Sequence, residues 1–349
     1  MRIGFFTDSY FPRKDGQAYT VRTWRRRLEE KGHETYIIYP DSGYNAENGV
    51  PSYSINNPFY KGHKIGLPKL KEQLPELDLV HCHSPGFNGV RGLIYARRNN
   101  VPAIYSFHTP LEDYVPQIIK PGFLARFLQA AYKKYENSLM QRFDKVISNT
   151  EEIRRDVESE KIPAGVNLEF FQPQEEGFLD RKDWKRPLIG YSGRISEEKN
   201  LKDLIGYLEN FEGTLVVVGE GRYRKALEQK ASANVVFMDF LDREKLPEFY
   251  SGLDVFATAS DSDTLSLTTL EASACGTPVL APDLHPFDKT VSGNGELYCF
   301  GDEKDFREKL SRVLSSDYCP REAVKDFSVS SSIDRLLEVY REVGNENGD

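Results

Sequence analysis

Cysteine is scarce in this sequence, with four in 349 residues, at positions 82, 275, 299 and 319, and no Cys-x-x-Cys pair. A disulfide-stapled scaffold or a thiolate zinc site needs more sulfur, set closer together, so free thiols in a reducing cytosol are expected. Long apolar runs are missing as well. No stretch of about 18 apolar residues occurs, which excludes a membrane-spanning helix. The chain enters a strand-like Ile3-Gly4-Phe5-Phe6 at once, which leaves no room for a signal peptide. There is no Gly-x-Gly-x-x-Gly, no short internal repeat and no nucleic-acid-binding motif, and an acidic chain argues against a nucleic-acid partner. A cytoplasmic globular protein is what these absences leave.

What is present is length and charge. At 349 residues, 29% charged and 39% hydrophobic, the chain exceeds one ordinary core, and two domains are expected. The net charge of −8 hides an asymmetry. Residues 1–171 hold 24 Lys and Arg against 20 Asp and Glu, net +4; the remainder holds 22 against 34, net −12. A first half relatively rich in basic groups suits an anionic partner, although surface charge that drifted without function gives the same count.

Along residues 1–110 short apolar runs alternate with amphipathic helices, the pattern of a parallel α/β sheet. Strands are expected at 3–7, 35–39, 78–83, 103–107 and 145–149, with a polar loop at 8–17 and a helix near 20–31. Asp15-Gly16 falls where the first strand hands over to that helix, at the sheet edge where ligands of open α/β sheets bind. His81 and His83 end a strand at alternate positions and share one face. A metal pair is conceivable there, but no third ligand stands nearby, and a strand end lining a cleft is the simpler reading. His108 directly follows the buried strand 103–107, where a neutral imidazole can hydrogen-bond a sugar hydroxyl or be merely a satisfied strand-end residue.

Residues 115–139 mix Lys120, Arg126, Lys133 and Lys134 with aromatics. Apolar positions 124, 127, 128, 131 and 135 follow helical spacing. Such a face packs inward as core or, with its basic neighbours, lies on an anionic bilayer. The polar stretch 172–186 marks a linker. Beyond it a strand at 188–192 leads into Gly193-Arg194-Ile195-Ser196-Glu197-Glu198-Lys199-Asn200. Arg194 and Lys199 flank that turn and can reach one anion, Arg as a planar fork and Lys as a point charge. A surface loop with two ordinary cations would read the same way.

The stretch from Ala259 to Asp283 reads as a polar loop, a helix over 267–275, a Gly276 stop and a buried strand. Its helix start, around Ser266, Leu267 and Thr268, offers free N–H groups and the positive end of the helix dipole to an anion. Asp263 and Glu271 lie eight positions apart. Solvated acids on an ordinary loop and helix would share that spacing.

Asp263-x7-Glu271 followed by Ala272-x-Ala274-Cys275-Gly276-Thr277-Pro278 resembles the signature of the retaining glycosyltransferases of family 4. The 7–19 loop, the 162–169 segment and the 193–200 loop are similar to the family's other landmarks, so the resemblance covers almost the whole chain. His108-Thr109-x-x-Glu112-Asp113-Tyr114 resembles the glucosyl-diacylglycerol synthases within it. Two departures stand out: Asp263 where the family has Glu, and Asp239 where relatives often have Gly.

The resemblance implies the GT-B fold: two Rossmann-like domains with parallel sheets facing a cleft, and a C-terminal helix crossing back to the first domain. The acceptor-binding domain would cover 1–171, the linker 172–186, the nucleotide-sugar domain 187–326, and the crossing helix and tail 327–349. It implies transfer of a hexose from a nucleoside-diphosphate sugar, with UDP-glucose favoured over GDP-mannose. The acceptor would be a membrane lipid such as diacylglycerol, or a soluble sugar or metabolite. Gly16, Arg194, Lys199, Leu241, Ser266, Leu267, Thr268 and Glu271 would hold the donor, the last through its ribose. His108 and Asp263 would contact the transferred sugar. No metal or other cofactor is implied. An anionic membrane surface, met through 115–139, would make the protein peripheral at the inner face of the membrane. A non-catalytic partner subunit that binds sugar nucleotide is the alternative kept open by Asp239 and Asp263.

Overall fold

The structure is a computed structural model that describes all residues except 14, 57–63, 68–73, 109, 111, 113–114, 116–118, 120–121, 150–155, 176, 180–181 and 347–349. It divides into two compact units, Met1–Ala164 with Ser330–Asp349, and Gly165–Val329. The divisions fall at 164/165 and 329/330 rather than at 171/172 and 326/327. Residues 172–186, read above as a linker, count with the second unit. They are anchored there: Leu179 is buried, and Arg186 Nη1 lies 2.9 Å from Asp254 Oδ2.

Among the described residues the first unit has one eight-stranded sheet, in the order β4-β3-β2-β1-β5-β6-β7-β8. Its strands are β1 (Arg2–Phe6), β2 (Glu34–Pro40), β3 (Gly49–Asn56), β4 (Lys64–Leu67), β5 (Leu79–Cys82), β6 (Ala103–Phe107), β7 (Lys145–Ser148) and β8 (Glu160–Lys161). All neighbours pair in parallel except β3 with β4. The central strands are continuous apolar runs because helices cover both faces of a parallel sheet. Ile3, Phe5, Phe6, Val80 and Ile104 are fully buried in consequence. The strand β3, one in from the edge, was not expected; it is only half-buried and carries Pro51, which blurs its period-two signal.

The helix Gly16–Glu30 begins four residues before its expected start because Asp15 caps it, accepting from Ala18 N at 2.8 Å. Its buried residues Ala18, Val21, Trp24 and Leu28 form one stripe, and Trp24 Nε1 donates to the Ala164 carbonyl at 2.9 Å. The terminal helix Val329–Glu346 packs with this unit from Ser330 onward. It buries Ile333, Leu336, Leu337 and Tyr340, the four positions its spacing had marked.

Among the described residues the second unit has a six-stranded parallel sheet, β11-β10-β9-β12-β13-β14. Its strands are β9 (Leu188–Ser192), β10 (Thr214–Val218), β11 (Val235–Met238), β12 (Val255–Ala257), β13 (Val279–Pro282) and β14 (Gly295–Tyr298). In each sheet the order reverses once, between β1 and β5 and between β9 and β12. Ligands of such sheets bind beyond the carboxyl ends of the strands at the reversal. Each unit therefore offers one pair of loops, and these are the loops the sequence singles out.

Candidate active site

In the first unit the pair is the loop after β1 and the strand end at His83. Gly16 opens the helix Gly16–Glu30 here. The Asp15 carboxylate ahead of it accepts from Ser9 Oγ at 2.6 Å and pairs with Arg13 Nε at 2.5 Å. Gln17 Nε2 donates to the His83 carbonyl at 2.7 Å and to Thr7 Oγ1 at 2.9 Å, tying the loop to the strand end. His108 stands just past β6, partly buried, and its Nε2 lies 2.8 Å from His83 Nδ1. Burial lowers the His108 pKa to about 4, with Asp15 pulling the other way. The imidazole is thus neutral at physiological pH, the form able both to donate and to accept.

His81 and His83 do share a face, with ring centroids 4.1 Å apart. Both ring nitrogens of His81 are engaged by hydroxyls, Tyr340 at 2.7 Å and Ser106 at 2.6 Å. Burial pushes both histidines well below the ordinary range, so they too are neutral. Of the segment 108–114, residues 109, 111, 113 and 114 lie outside the described residues, as do 116–118, 120 and 121 of the stretch 115–139.

In the second unit the pair is the 193–200 loop after β9 and the 258–266 loop after β12. The strand-end glycines keep the approach to the first of these loops close. A Cβ on Gly219, at φ +141°, would stand 1.9 Å from the Gly193 carbonyl oxygen, so only glycine fits. Lys199 and Asp263, expected in separate roles, are brought together: Nζ lies 2.8 Å from Oδ1, and 3.3 Å from Ser260 Oγ. Arg194 is half-exposed, with Nη1 3.8 Å from Glu198 Oε1.

The helix Leu267–Ala274 begins at Ser266, whose φ of 56° is left-handed, in a buried position. A non-glycine residue held there stores strain of the kind found at ligand-binding loops. The N–H groups of Leu267 and Thr268 open the helix, where no intrahelical acceptor is within reach.

Glu271 sits in this helix, 4% exposed. Its Oε1 pairs with Arg243 Nη2 at 3.1 Å, and its Oε2 accepts from Tyr250 Oη at 3.1 Å. Burial raises its pKa, while Arg243 and Tyr250 oppose the rise. Each carboxylate oxygen keeps a second acceptor lone pair for a ligand. Arg243 also lies over the Phe171 ring, 4.9 Å from its centroid. It follows Leu241, which is half-buried at the start of the same loop.

Arg243 and Tyr250 were not among the residues expected here. Neither belongs to a motif, and only the fold carries them to Glu271. Asp239 pairs with Arg224 Nη2 at 3.1 Å, and Arg224 also donates to the carbonyls of Gly219 and Met238. The residue that replaces a glycine thus helps hold an arginine across the carboxyl ends of β10 and β11.

Lys199, Arg194, the helix start and a buried carboxylate suit a ligand with an anionic diphosphate and a hydroxylated neighbour. The Glycosyltransferase Family 4 model matches residues 14–170 and the Glycosyl transferases group 1 model residues 174–328. Among solved structures, sucrose-phosphate synthase from Thermosynechococcus elongatus superposes with a TM-score of 0.75 at 19% identity, covering 98% of both chains. Anabaena HepE in complex with UDP gives 0.75 at 17% identity, covering 98% of this chain and 100% of that one. The fold and the site loops together define a GT-B glycosyltransferase.

The chain is 31% identical over 318 residues to the alpha-monoglucosyldiacylglycerol synthase of Streptococcus pneumoniae, covering 80% of this chain and 71% of that protein. It is 28% identical over 352 residues to the enzyme of the same name from Acholeplasma laidlawii, at 90% and 88% coverage. The GDP-mannose-dependent alpha-mannosyltransferase of Mycobacterium tuberculosis is 27% identical over 311 residues, at 81% and 79%. This chain belongs to glycosyltransferase family 4.

Proposed function

We propose that this chain is a retaining hexosyltransferase that moves glucose from UDP-glucose to the hydroxyl of a membrane lipid of the diacylglycerol type. The observation that carries the acceptor is the helix Phe123–Met140. Its expected apolar stripe does not pack inward. Phe123 is 87% exposed, and Leu124, Phe127 and Tyr135 are exposed with it. The buried side is Ala125, Glu136, Leu139 and Met140. Arg126, Lys133 and Lys134 are exposed on the same helix. An outward face of aromatic, leucine and basic residues suits an anionic bilayer. The two glucosyl-diacylglycerol synthases among the relatives support the same acceptor, and the mannosyltransferase supports GDP-mannose as the second donor to try.

In this reading Arg194, Lys199 and the N–H groups at Leu267 and Thr268 take the charge that grows on the leaving diphosphate. Ser266 sets that helix start, Leu241 lies against the base, Glu271 accepts from the ribose, and Gly16 lets backbone approach the donor. Asp263 and His108 hydrogen-bond the transferred sugar. The bond from the sugar C1 to the diphosphate oxygen breaks, and the acceptor oxygen bonds to C1 on the same face. The acceptor proton passes to the departing diphosphate, and the configuration at C1 is kept.

Vesicle flotation tests the acceptor surface. The protein co-floats with anionic vesicles and not with neutral ones, and attachment weakens at high salt. Lys133→Glu with Lys134→Glu abolishes co-flotation without changing the melting temperature. Absence of co-flotation by the wild type, with transfer to a water-soluble acceptor, overturns the lipid reading and leaves a transferase with a soluble acceptor.

A further inference from the structure

His108 does not stand alone. Its ring plane is 22° from that of His83, with centroids 5.1 Å apart and the facing nitrogens, His108 Nε2 and His83 Nδ1, separated by 2.8 Å. Nitrogens of two neutral imidazoles at that separation share one proton in an N–H···N bond. Two arrangements are open. Either His83 donates from Nδ1, or His108 donates from Nε2.

The far side of His83 distinguishes them. The ring is 1% exposed. It is walled by Phe5 at 5.3 Å, Trp24 at 6.0 Å and His81 at 4.1 Å. Among the described residues its Nε2 has no hydrogen-bond partner. If His108 were the donor, His83 would carry its own proton on that buried, unpartnered Nε2. If His83 donates, Nε2 is only a bare lone pair. Orphaned buried N–H groups are rarer than under-satisfied acceptors, so His83 is the donor. His108 must then hold its proton on Nδ1, the ring nitrogen turned away from His83.

We propose that His83 is a positioning residue that fixes His108 as the Nδ1–H tautomer, so that His108 meets its ligand as a hydrogen-bond donor aimed at a sugar oxygen. The oxygen it faces is one that accepts, such as a hydroxyl lone pair. The ligand side of this inference rests on the reading of His108 as a sugar contact. The tautomer itself does not. The His83 carbonyl is fixed in turn by Gln17 Nε2 at 2.7 Å, so the loop after β1 also sets the position of this pair.

The test is a long-range 1H–15N correlation spectrum of the protein labelled in its six histidines, with assignment by single substitution. Wild-type His108 shows a protonated Nδ1 and a bare Nε2. In His83→Leu the bond is gone, and His108 moves toward the Nε2–H form that free imidazoles favour. His83→Asn, whose side-chain N–H reaches the place of Nδ1, restores the Nδ1–H form. Transfer follows the tautomer. His83→Leu lowers kcat by about 10- to 100-fold, as loss of a partner that orients a ligating histidine does. Its KM for the donor and its UDP affinity stay near wild type, and Asn recovers most of the rate.

A wild-type spectrum with His108 protonated on Nε2 overturns the proposal even if no variant folds. Loss of transfer in His108→Ala with full transfer in His83→Leu overturns it as well. Wild-type transfer by His108→Ala, with the Nδ1–H tautomer present, instead removes the sugar contact and leaves the positioning of the ring intact.

Discussion

The ion pair between Lys199 and Asp263 makes opposite demands of its two members. Lys199 Nζ lies 2.8 Å from Asp263 Oδ1, with side chains 17% and 21% exposed. Before a diphosphate arrives, the lysine is already satisfied by a carboxylate, so an incoming phosphate oxygen competes with Asp263 for it. Lys199→Met removes a hydrogen-bond donor to a charged ligand, a loss of about 1.5–3 kcal/mol, or roughly 10- to 150-fold in Kd. Arg194→Ala falls at the low end of the same range, because its side chain is 53% exposed and its pairing with Glu198 is long.

Asp263→Asn acts the other way. A partly exposed ion pair contributes at most about 1 kcal/mol. Releasing Lys199 from it should leave UDP binding unchanged or tighten it by up to about fivefold. Transfer should nevertheless fall, since the carboxylate proposed to hydrogen-bond the sugar is lost. Isothermal calorimetry with UDP reads the first effect and turnover of UDP-glucose the second. Weaker UDP binding by Asp263→Asn, or unchanged binding by Lys199→Met, would refute the competition.

Two further outcomes follow from buried ionisable groups. Arg243→Met strips the charge partner from Glu271 and should cost about 2–4 kcal/mol in urea unfolding at neutral pH, near the range for breaking a buried pair. Because the Glu271 pKa is already raised by burial and rises further without Arg243, the folded variant takes up its proton first as pH falls. The deficit therefore shrinks toward acid, and one that is the same at pH 7.5 and pH 5 contradicts the pairing. His108, lowered from 6.5 to about 4, binds a proton in the unfolded chain before it does so in the folded one. Stability should fall as pH drops from 6.5 toward 4, by up to about 3 kcal/mol for this residue. Urea unfolding of His108→Asn across that window should show a shallower slope; an unchanged slope counts against the buried neutral imidazole.

Much of this architecture is legible in the sequence, for identifiable reasons. Phe5, Ile104, Ile147, Ile189 and Phe256 are each buried in strands covered on both faces, so those strands stand out as apolar runs between turn residues. The 193–200 and 259–283 stretches carry their own punctuation, and the structure puts them beyond β9 and β12, with the helix Leu267–Ala274 inside the second.

What stayed hidden depends on partners distant in the chain. Glu136 is a carboxylate on the buried side of its helix, beside Ala125, Leu139 and Met140, and Tyr105 donates to it at 2.9 Å, a pairing that no local pattern announces. The same helix turns its apolar stripe outward, although spacing alone cannot choose between core and surface. Arg243 reaches Glu271 through the packing of a loop on a helix, and the His83–His108 bond depends on the register of β5 beside β6. Spacing identified the residue types and the loops that carry them. Tertiary packing decides which of them touch.

The most direct measurement is transfer itself. The purified chain is incubated with anionic vesicles containing diacylglycerol and with UDP-glucose or GDP-mannose, and the lipid product is analysed by NMR for its anomeric configuration. The expected product is a single monohexosyl lipid, formed from UDP-glucose with the α configuration of the donor retained. A β-linked product contradicts the retaining mechanism. Tight binding of UDP-glucose with neither transfer nor hydrolysis contradicts the enzyme itself, and makes the chain a sugar-nucleotide-binding partner of another subunit.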